Sequence, residues 1–270
     1  MTVEDYARKR AALLEDLDGL RVEKDPERAV GTLIFDRPPM NVISYKGRFQ
    51  IRALLEAMDQ DPEIRVIVIR GANGMYSSGG DIPGFLKVGR DGMSDLADNV
   101  AAPERCRKPV IAAIEKFAMG VSFELALACD FRLATEDTVL ALPEINLGAI
   151  PGSGGSIRVA RIAGLGRAKE MIMRGRRITA EEAHAWGLVS EVVPPGELDA
   201  AVSRWVEDLA ARPSIPLATL KRVLNGAYEA PLGAALNLEG QAFEKNRFGP
   251  EFEHGIEAFQ KKQKPDFSDM

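Results

Sequence analysis

Residues 117–130 read FAMGVSFELALACD and place one carboxylate, Glu124, inside an otherwise apolar run. Burying an unpaired carboxylate costs several kcal/mol unless a specific partner compensates it or a reaction uses it. A second such glutamate, Glu144, stands in VLALPEINLGAIPG at residues 139–152. One glutamate of this kind is usually structural. Two in glycine-flanked apolar segments suit general acid–base chemistry, which needs one carboxyl protonated and the other ionised.

Three glycine-rich stretches interrupt the chain: MYSSGGD at 75–81, AMGVS at 118–122 and IPGSGGS at 150–156. Each follows a strand-like run and leads towards a helix, where unpaired backbone N–H groups point outwards. Amides from two such places can converge on one anionic oxygen and form an oxyanion hole. A single stretch is better explained as a tight turn. IPGSGGS lacks the Lys-Ser/Thr of a phosphate loop, so nucleotide hydrolysis is not expected.

The order of apolar patterns predicts an α/β fold. LRVEKD and VGTLIFD predict a hairpin, and residues 45–60 have the periodicity of a helix with Phe49, Ile51, Leu54, Leu55 and Met58 on one face. The continuous apolar runs VIVI and VIAAI are typical of strands buried on both sides.

The chain divides into three predicted regions. Residues 1–18 form a helical N-terminal extension, residues 19–195 the core with the active site, and residues 196–270 a helical region with no strand pattern. The apolar faces of these last helices must pack on the core or on another subunit.

Composition limits the function. The chain has 270 residues with a net charge of −5, which argues against nucleic acid as a partner. Two cysteines and two histidines make a metal site unexpected. No apolar run has the roughly 18 to 20 residues of a membrane span, and the N-terminal residues do not resemble a signal peptide, so we expect no membrane association and a cytoplasmic location.

The motifs YSSGGDI, GVSFELALACD, LALPEINLGAIPGSGGSIRVARIAG and RRITAEEAHAWGLVSEVV occur in the order found in the enoyl-CoA hydratase (crotonase) superfamily. Together with DRPPMNVIS, they extend the resemblance over about residues 19–267. It implies a crotonase-like spiral of repeated ββα units, with C-terminal helices that build a trimer or a hexamer of two trimers. It also implies an acyl-CoA thioester as substrate and no separate cofactor, because coenzyme A is carried by the substrate.

The resemblance assigns roles to individual residues. The amides of Gly80 and Val121 would form the oxyanion hole, and Glu124 and Glu144 would be the catalytic acids and bases. The backbone around Gly152 would help to hold a water molecule between them. The positions that match family contacts to coenzyme A or the acyl group are Met40, Val42, Ser78, Asp81, Ile82, Phe243 and Lys262.

Both glutamates together favour reversible hydration of a 2,3-double bond. A hydratase that goes on to cleave a carbon–carbon bond and an enoyl-CoA isomerase stay open, as does a crotonase-fold binding protein without turnover. The sequence departs from the family at Val121, where a glycine is usual; a positive φ there would strain the valine. Ser122 is expected to cap the following helix, or else to contact Glu124 or substrate.

Overall fold

A six-stranded sheet organises the protein in a computed structural model that describes residues 8, 11–89, 95–268 and 270. The strands of this sheet lie in the order β1 (Leu20–Asp25), β2 (Val30–Phe35), β3 (Val66–Gly71), β4 (Val110–Ile114), β6 (Phe131–Thr135) and β9 (Glu191–Val193). β1 and β2 are antiparallel, and every later neighbour pairs in parallel. The predicted hairpin and the buried parallel strands are confirmed.

A second, three-stranded sheet carries one of the glycine-rich stretches. β5 (Phe117–Met119) pairs in parallel with β7 (Val139–Ala141), which pairs antiparallel with β8 (Ile178–Thr179). β5 leads directly into the helix Val121–Ala128, and β7 ends three residues before the 3₁₀ helix Glu144–Leu147. This small sheet therefore sets the positions of both glutamates.

Helices fill the connections and the C-terminal region. Up to β9 they are Tyr45–Gln60, Ile82–Phe85, Leu96–Val100, Ala102–Arg105, Val121–Ala128, Gly155–Ala163, Leu165–Met173 and Ala180–Ala185. Beyond β9 they are Leu198–Ala210, Ser214–Ala227, Leu232–Arg247 and Pro250–Gln260. In the described part of the chain no strand follows β9, as the sequence pattern indicates.

The main core lies between the sheet and the helices Tyr45–Gln60 and Val121–Ala128. Phe35, Leu55, Ile69 and Phe123 are at most 1% exposed. The helix Val121–Ala128 is buried along its whole length, which is why its sequence is apolar on every side. Glu124 lies in its first turn and therefore reaches the interior.

Two observations qualify the expected organisation. In the helix Tyr45–Gln60, the side chain of Ser44 accepts a hydrogen bond from the amide of Gly47 at the N-terminus, and Phe49 and Leu54 are only half-buried while Arg48 is buried. Half of the predicted N-terminal helical extension, residues 1–7, 9 and 10, falls outside the described residues, and residues 8 and 11–14 are helical. None of the helices in the described part of the chain combines the length and apolar character needed to cross a bilayer.

Candidate active site

Two glycine-rich segments lie against each other at one end of the small sheet. Ser77 forms a parallel bridge with Ala118, and a β-carbon built on Gly79 would lie 2.6 Å from the carbonyl oxygen of Met119. Gly79 has a φ of 110°, a conformation that side chains disfavour. Gly80 directly follows Gly79, and Val121 lies two residues after Met119. The close approach therefore places Gly80 and Val121 beside the same contact.

The amides of Gly80 and Val121 have no hydrogen-bond acceptor among the described residues. The neighbouring amides are paired: that of Gly79 donates to Ser77 Oγ at 3.1 Å, and that of Asp81 donates to the carbonyl of Ile43 at 3.1 Å. Gly120 donates to the carbonyl of Ala141 at 3.0 Å. Two unpaired N–H groups on adjacent segments, one of them at a helix N-terminus, can bind a single anionic oxygen.

The valine at position 121 does not adopt the strained conformation that would displace this amide. The positive φ falls on Gly120, at 54°, and Val121 begins the helix. A β-carbon at Gly120 would lie 3.0 Å from Glu144 Oε1, so a side chain there would crowd this carboxylate, and the positive φ also favours glycine. Val121 itself is 5% exposed and packs into the main core.

Ser122 does not cap the helix that contains it, because the N-cap position is Gly120. Its hydroxyl accepts a 2.9 Å hydrogen bond from the amide of Met119 and lies 3.0 Å from the carbonyl of Ser77. The hydroxyl thus ties together the two segments that carry the free amides. The expectation of capping is wrong because the helix begins at Val121, so Ser122 lies inside the first turn, two residues after the N-cap.

Glu124 is held by the third glycine-rich segment. Its Oε1 accepts hydrogen bonds from the amides of Ser153 at 2.8 Å and Gly155 at 2.9 Å, while Oε2 has no hydrogen bond to a described residue. A β-carbon at Gly155 would lie 2.8 Å from Glu124 Cγ. The side chain is 2% exposed, so one carboxylate oxygen is fixed and the other is available.

Glu144 has the properties of a carboxyl that can be protonated near neutral pH. Burial, with a smaller contribution from the negative charge of Glu124, raises the pKa of Glu144 to about 7. Its Oε2 is buried and has no hydrogen-bond partner in the described part of the chain. The two glutamates therefore have different environments: Glu124 accepts two amides, whereas Glu144 is desolvated without a donor at Oε2.

The remaining site positions expected from the resemblance fall into two groups. In the first, the amide of Ser78 donates to the carbonyl of Met40 at 3.0 Å, and Val42 follows on the same loop. Asp81 caps the short helix that begins at Ile82, through an Oδ1 contact of 3.3 Å with the amide of Gly84. These five residues surround Gly80 on its two sides. Gly152 is exposed and directly precedes Ser153.

The second group lies on the C-terminal helices. Phe243 is 63% exposed, and Lys262, just after the last helix, is also exposed. No described contact within the chain joins either residue to the two glutamates.

Basic side chains near the C-terminus are expected by default to be solvated, but the side chain of Lys221 is only 8% exposed. Its Nζ donates to Asp130 at 2.6 Å and to the carbonyls of Pro103 and Lys108, at 2.8 and 3.0 Å. This lysine joins the helix Ser214–Ala227 to the core, because it donates hydrogen bonds to three oxygens of other segments.

Sequence patterns also missed Arg48, which is 3% exposed beside the candidate oxyanion hole. A β-carbon at Gly80 would lie 3.1 Å from Arg48 Nη2. The helical periodicity contained a signal, because Arg48 lies three residues before the buried Ile51, on the same face of the helix. Among the described residues, no group of histidine, cysteine and acidic side chains is arranged to hold a metal ion.

Comparison with known proteins identifies the family. The model of the enoyl-CoA hydratase/isomerase family matches residues 25–270. The chain belongs to this family. The fold is also that of solved enoyl-CoA hydratases. The crystal structure of enoyl-CoA hydratase from Bacillus anthracis superposes on this chain with a TM-score of 0.87 at 31% sequence identity, and the match covers 94% of this chain and 100% of that one. The crotonase fold expected from the sequence is confirmed.

Relatives within the enoyl-CoA hydratase/isomerase family differ in length. The probable mitochondrial enoyl-CoA hydratase of Dictyostelium discoideum is 33% identical over 239 residues, which are 87% of this chain and 86% of the relative. The glyoxysomal fatty acid beta-oxidation multifunctional protein MFP-a of Brassica napus is 39% identical over 194 residues. That match spans 68% of this chain but only 26% of the relative, about a quarter of the multifunctional protein.

Proposed function

We propose that this protein is an enoyl-CoA hydratase that adds water reversibly across the 2,3-double bond of an enoyl-CoA thioester. The observation that carries the proposal is the pairing of two unbonded amides, at Gly80 and Val121, with two glutamates of contrasting environment. Relatives from several organisms carry the name enoyl-CoA hydratase or probable enoyl-CoA hydratase. Family membership alone leaves the reaction open.

In the proposed reaction, the thioester oxygen accepts hydrogen bonds from the amides of Gly80 and Val121 as it gains negative charge. Glu124, oriented by two amides at Oε1, takes a proton from water, and the resulting oxygen nucleophile attacks C3. Glu144 in its protonated form delivers a proton to C2 of the enolate. The hydroxyl group at C3 comes from water, the new hydrogen at C2 comes from Glu144, and Glu124 keeps the proton that it took from water. Proton exchange with solvent then returns both carboxyls to their starting states before the next turnover.

The thioester and its carrier occupy the surrounding loops in this proposal. Met40, Val42, Ser78, Asp81 and Ile82 border Gly80 and are the expected contacts to the acyl group and the pantetheine arm. Phe243 and Lys262 are the expected contacts to the adenine and phosphates of coenzyme A. Because both residues are exposed and no described contact joins them to the glutamates, we expect these contacts to be made across a subunit boundary.

We propose a homotrimer, or a hexamer of two trimers, for the same reason. The C-terminal helices leave many large apolar side chains exposed, among them Leu224, Leu232, Leu236, Phe248 and Phe259. Large apolar side chains exposed in this number on the C-terminal helices favour an interface with another subunit. Light scattering at several protein concentrations tests the stoichiometry, and a monomer at all concentrations would refute this part of the proposal.

Turnover tests the reaction itself. Hydration of crotonyl-CoA and of longer or cyclic enoyl-CoA thioesters is followed as loss of the conjugated absorbance. Glu124→Gln and Glu144→Gln should each lower kcat by about 10² to 10⁴ with thioester affinity largely kept. Glu136→Gln is the control, because Glu136 is exposed.

The alternatives give different results in the same assay. A lyase releases a carbon–carbon cleavage product from the hydrated thioester, and an isomerase converts a 3-enoyl to a 2-enoyl thioester without net hydration. A binding protein shows no turnover with any thioester of the panel. Full activity in either glutamine variant would remove that glutamate from the mechanism.

A further inference from the structure

Arg48 is a buried cation without a carboxylate partner. It is 3% exposed, and its guanidinium forms no hydrogen bond or ion pair with another residue of the described part of the chain; its Nε is fully buried and unpaired. Arg48 has no role in the proposed oxyanion hole, in the chemistry of the two glutamates or in the loop contacts to the thioester. An uncompensated buried charge costs several kcal/mol, so its presence needs an explanation.

The neighbours of Arg48 compensate its charge only in part. Its Cζ atom lies 5.3 Å from the ring centre of Tyr45 and 5.2 Å from that of Phe85. Cation–π contacts of this kind contribute about 0.5 to 2 kcal/mol each. Glu124 and Glu144 are close enough to affect the guanidinium but do not form an ion pair with it, and burial lowers the pKa of Arg48 despite their charges.

A second unpaired polar side chain lies beside it. Asn99 is 1% exposed, and both its Nδ2 and its Oδ1 lack hydrogen-bond partners in the described part of the chain. Arg48 and Asn99 line one small cavity of about 10 Å³ together with Ile43, Ile51, Val100, Val121 and Leu125. This volume is close to the space of a single water molecule, so a larger group enters only if the side chains shift.

The cavity adjoins the candidate oxyanion hole on two sides. Val121, whose amide is one proposed donor, forms part of its wall, and Arg48 Nη2 reaches to 3.1 Å from a β-carbon placed on Gly80, the other proposed donor. The guanidinium therefore lies beside one of the two amides that would bind the thioester oxygen. The polar side chains in the wall of this cavity are a donor-only cation, Arg48, and an amide, Asn99, and the other side chains of the wall are apolar.

We propose that Arg48 and Asn99 form a subsite for a carboxylate on the acyl group, so that the preferred substrate is the monothioester of a short unsaturated dicarboxylic acid. The guanidinium provides paired donors that match a carboxylate, and Asn99 Nδ2 provides another. The substrate's negative charge is the missing partner of the buried cation. This inference rests on the proposed hydratase function and specifies its substrate class.

A matched pair of thioesters isolates the carboxylate. Glutaconyl-CoA and pent-2-enoyl-CoA have the same five-carbon acyl skeleton and the same 2,3-double bond, and differ in a terminal carboxylate or methyl group. The expected kcat/KM for the natural sequence is about tenfold or more higher with glutaconyl-CoA, the size of one charged hydrogen-bonded contact. Equal or lower kcat/KM with glutaconyl-CoA would overturn the inference.

Substitution of Arg48 should reverse this preference. Arg48→Met keeps the length and apolar body of the side chain, and should lower kcat/KM about 100-fold with glutaconyl-CoA while changing it less than about threefold with pent-2-enoyl-CoA. Arg48→Lys should recover part of the loss, and Asn99→Ala should lower kcat/KM with glutaconyl-CoA by a smaller factor. Arg52→Met is the control, since Arg52 lies one turn later and pairs with Glu56 at the surface.

The outcomes separate the subsite from other roles of Arg48. An equal loss with both thioesters would show that the guanidinium supports the hole or the fold and would overturn the subsite. The midpoint temperature of thermal unfolding should be unchanged or higher in Arg48→Met, because an unpaired buried charge is removed. If the natural sequence hydrates pent-2-enoyl-CoA but not glutaconyl-CoA, only the subsite is refuted. If it hydrates neither of these thioesters and no other thioester of the wider panel, the hydratase function is refuted as well.

Discussion

Gly79 lies directly against the carbonyl oxygen of Met119, and a β-carbon at this glycine would come within 2.6 Å of it. This backbone contact brings the two candidate oxyanion amides side by side, although they belong to segments about forty residues apart in the chain. The hydroxyl of Ser122 reinforces the contact by bonding to both segments. The geometry of the proposed hole thus depends on a position where nothing larger than hydrogen fits.

Gly79→Ala should therefore reduce both activity and stability. The side chain must be accommodated at a φ of 110° and against a backbone oxygen, so the two segments separate. We expect a loss of kcat of at least about 10²-fold, as for removal of one oxyanion donor. Gly74→Ala is the matched control, because Gly74 has a φ of 65° but a β-carbon there would lie 4.0 Å from Glu115 Oε1, an ordinary contact distance. An equal loss of kcat in both variants would show that conformation rather than the contact controls the site.

Val121→Pro should remove one oxyanion donor while leaving the helix intact. Val121 is the first residue of the helix Val121–Ala128, a position where proline is tolerated, and its amide has no acceptor among the described residues to lose. The expected loss of kcat is about 10² to 10³-fold. Val121→Ala keeps the amide and should retain most of the activity. Circular dichroism of both variants checks that the fold is preserved, and a fully active proline variant would exclude this amide from the hole.

The pH dependence of hydration should report the protonation of Glu144. Burial raises its pKa to about 7, and the proposed reaction needs the protonated form in the free enzyme. The kcat/KM for hydration should then fall about tenfold per pH unit above that pKa, whereas dehydration of the 3-hydroxyacyl thioester should show the opposite limb. Glu144→Gln should lack this limb in the residual activity. Its persistence in that variant would assign the titration to another group.

Glu144 should also affect stability, with a sign that follows from its raised pKa. Its ordinary value is 4.5, so between pH 4.5 and about 7 the folded chain binds a proton that the unfolded chain has released. Its contribution to the free energy of unfolding is complete below pH 4.5 and is lost as pH rises through 7. The difference in urea unfolding between the natural sequence and Glu144→Gln should follow this course, and Glu136→Gln should show no such trend.

Lys221→Met should destabilise the protein and leave the KM for coenzyme A thioesters unchanged. Removing the lysine leaves Asp130, whose side chain is 18% exposed, and two backbone carbonyls without their donor. Breaking one partner of a buried ion pair costs about 3 to 5 kcal/mol, so the urea midpoint should fall clearly. Lys261→Met is the control because Lys261 is 63% exposed. A raised KM with normal stability would instead assign Lys221 to the binding of coenzyme A.

Much of the fold could be predicted because local patterns and the final structure agree. The hairpin of β1 and β2, the buried parallel strands and the late helices follow from periodicity and from turn residues. The glycine-rich segments were recognisable as helix entrances, and the pair of glutamates as unusual for their apolar surroundings. The assignments of individual site residues stay predictions until the variants are measured.

The exceptions share one physical cause, which is that burial and partners depend on distant segments. Ser122 bonds backwards across two loops instead of capping its helix, and Lys221 is buried by oxygens more than ninety residues away. Arg48 falls on the buried face of an amphipathic helix, where charge is not expected.

The sequence by itself determined the α/β class, the family and the presence of two carboxyls in apolar surroundings, because these depend on local pattern and residue type. The tertiary structure decided which amides stay unpaired, which glutamate is desolvated and which is held by amides, and that a cation lies beside them. Those properties arise only when segments far apart in the chain pack together, since solvent exclusion and hydrogen-bond pairing are properties of the assembled site.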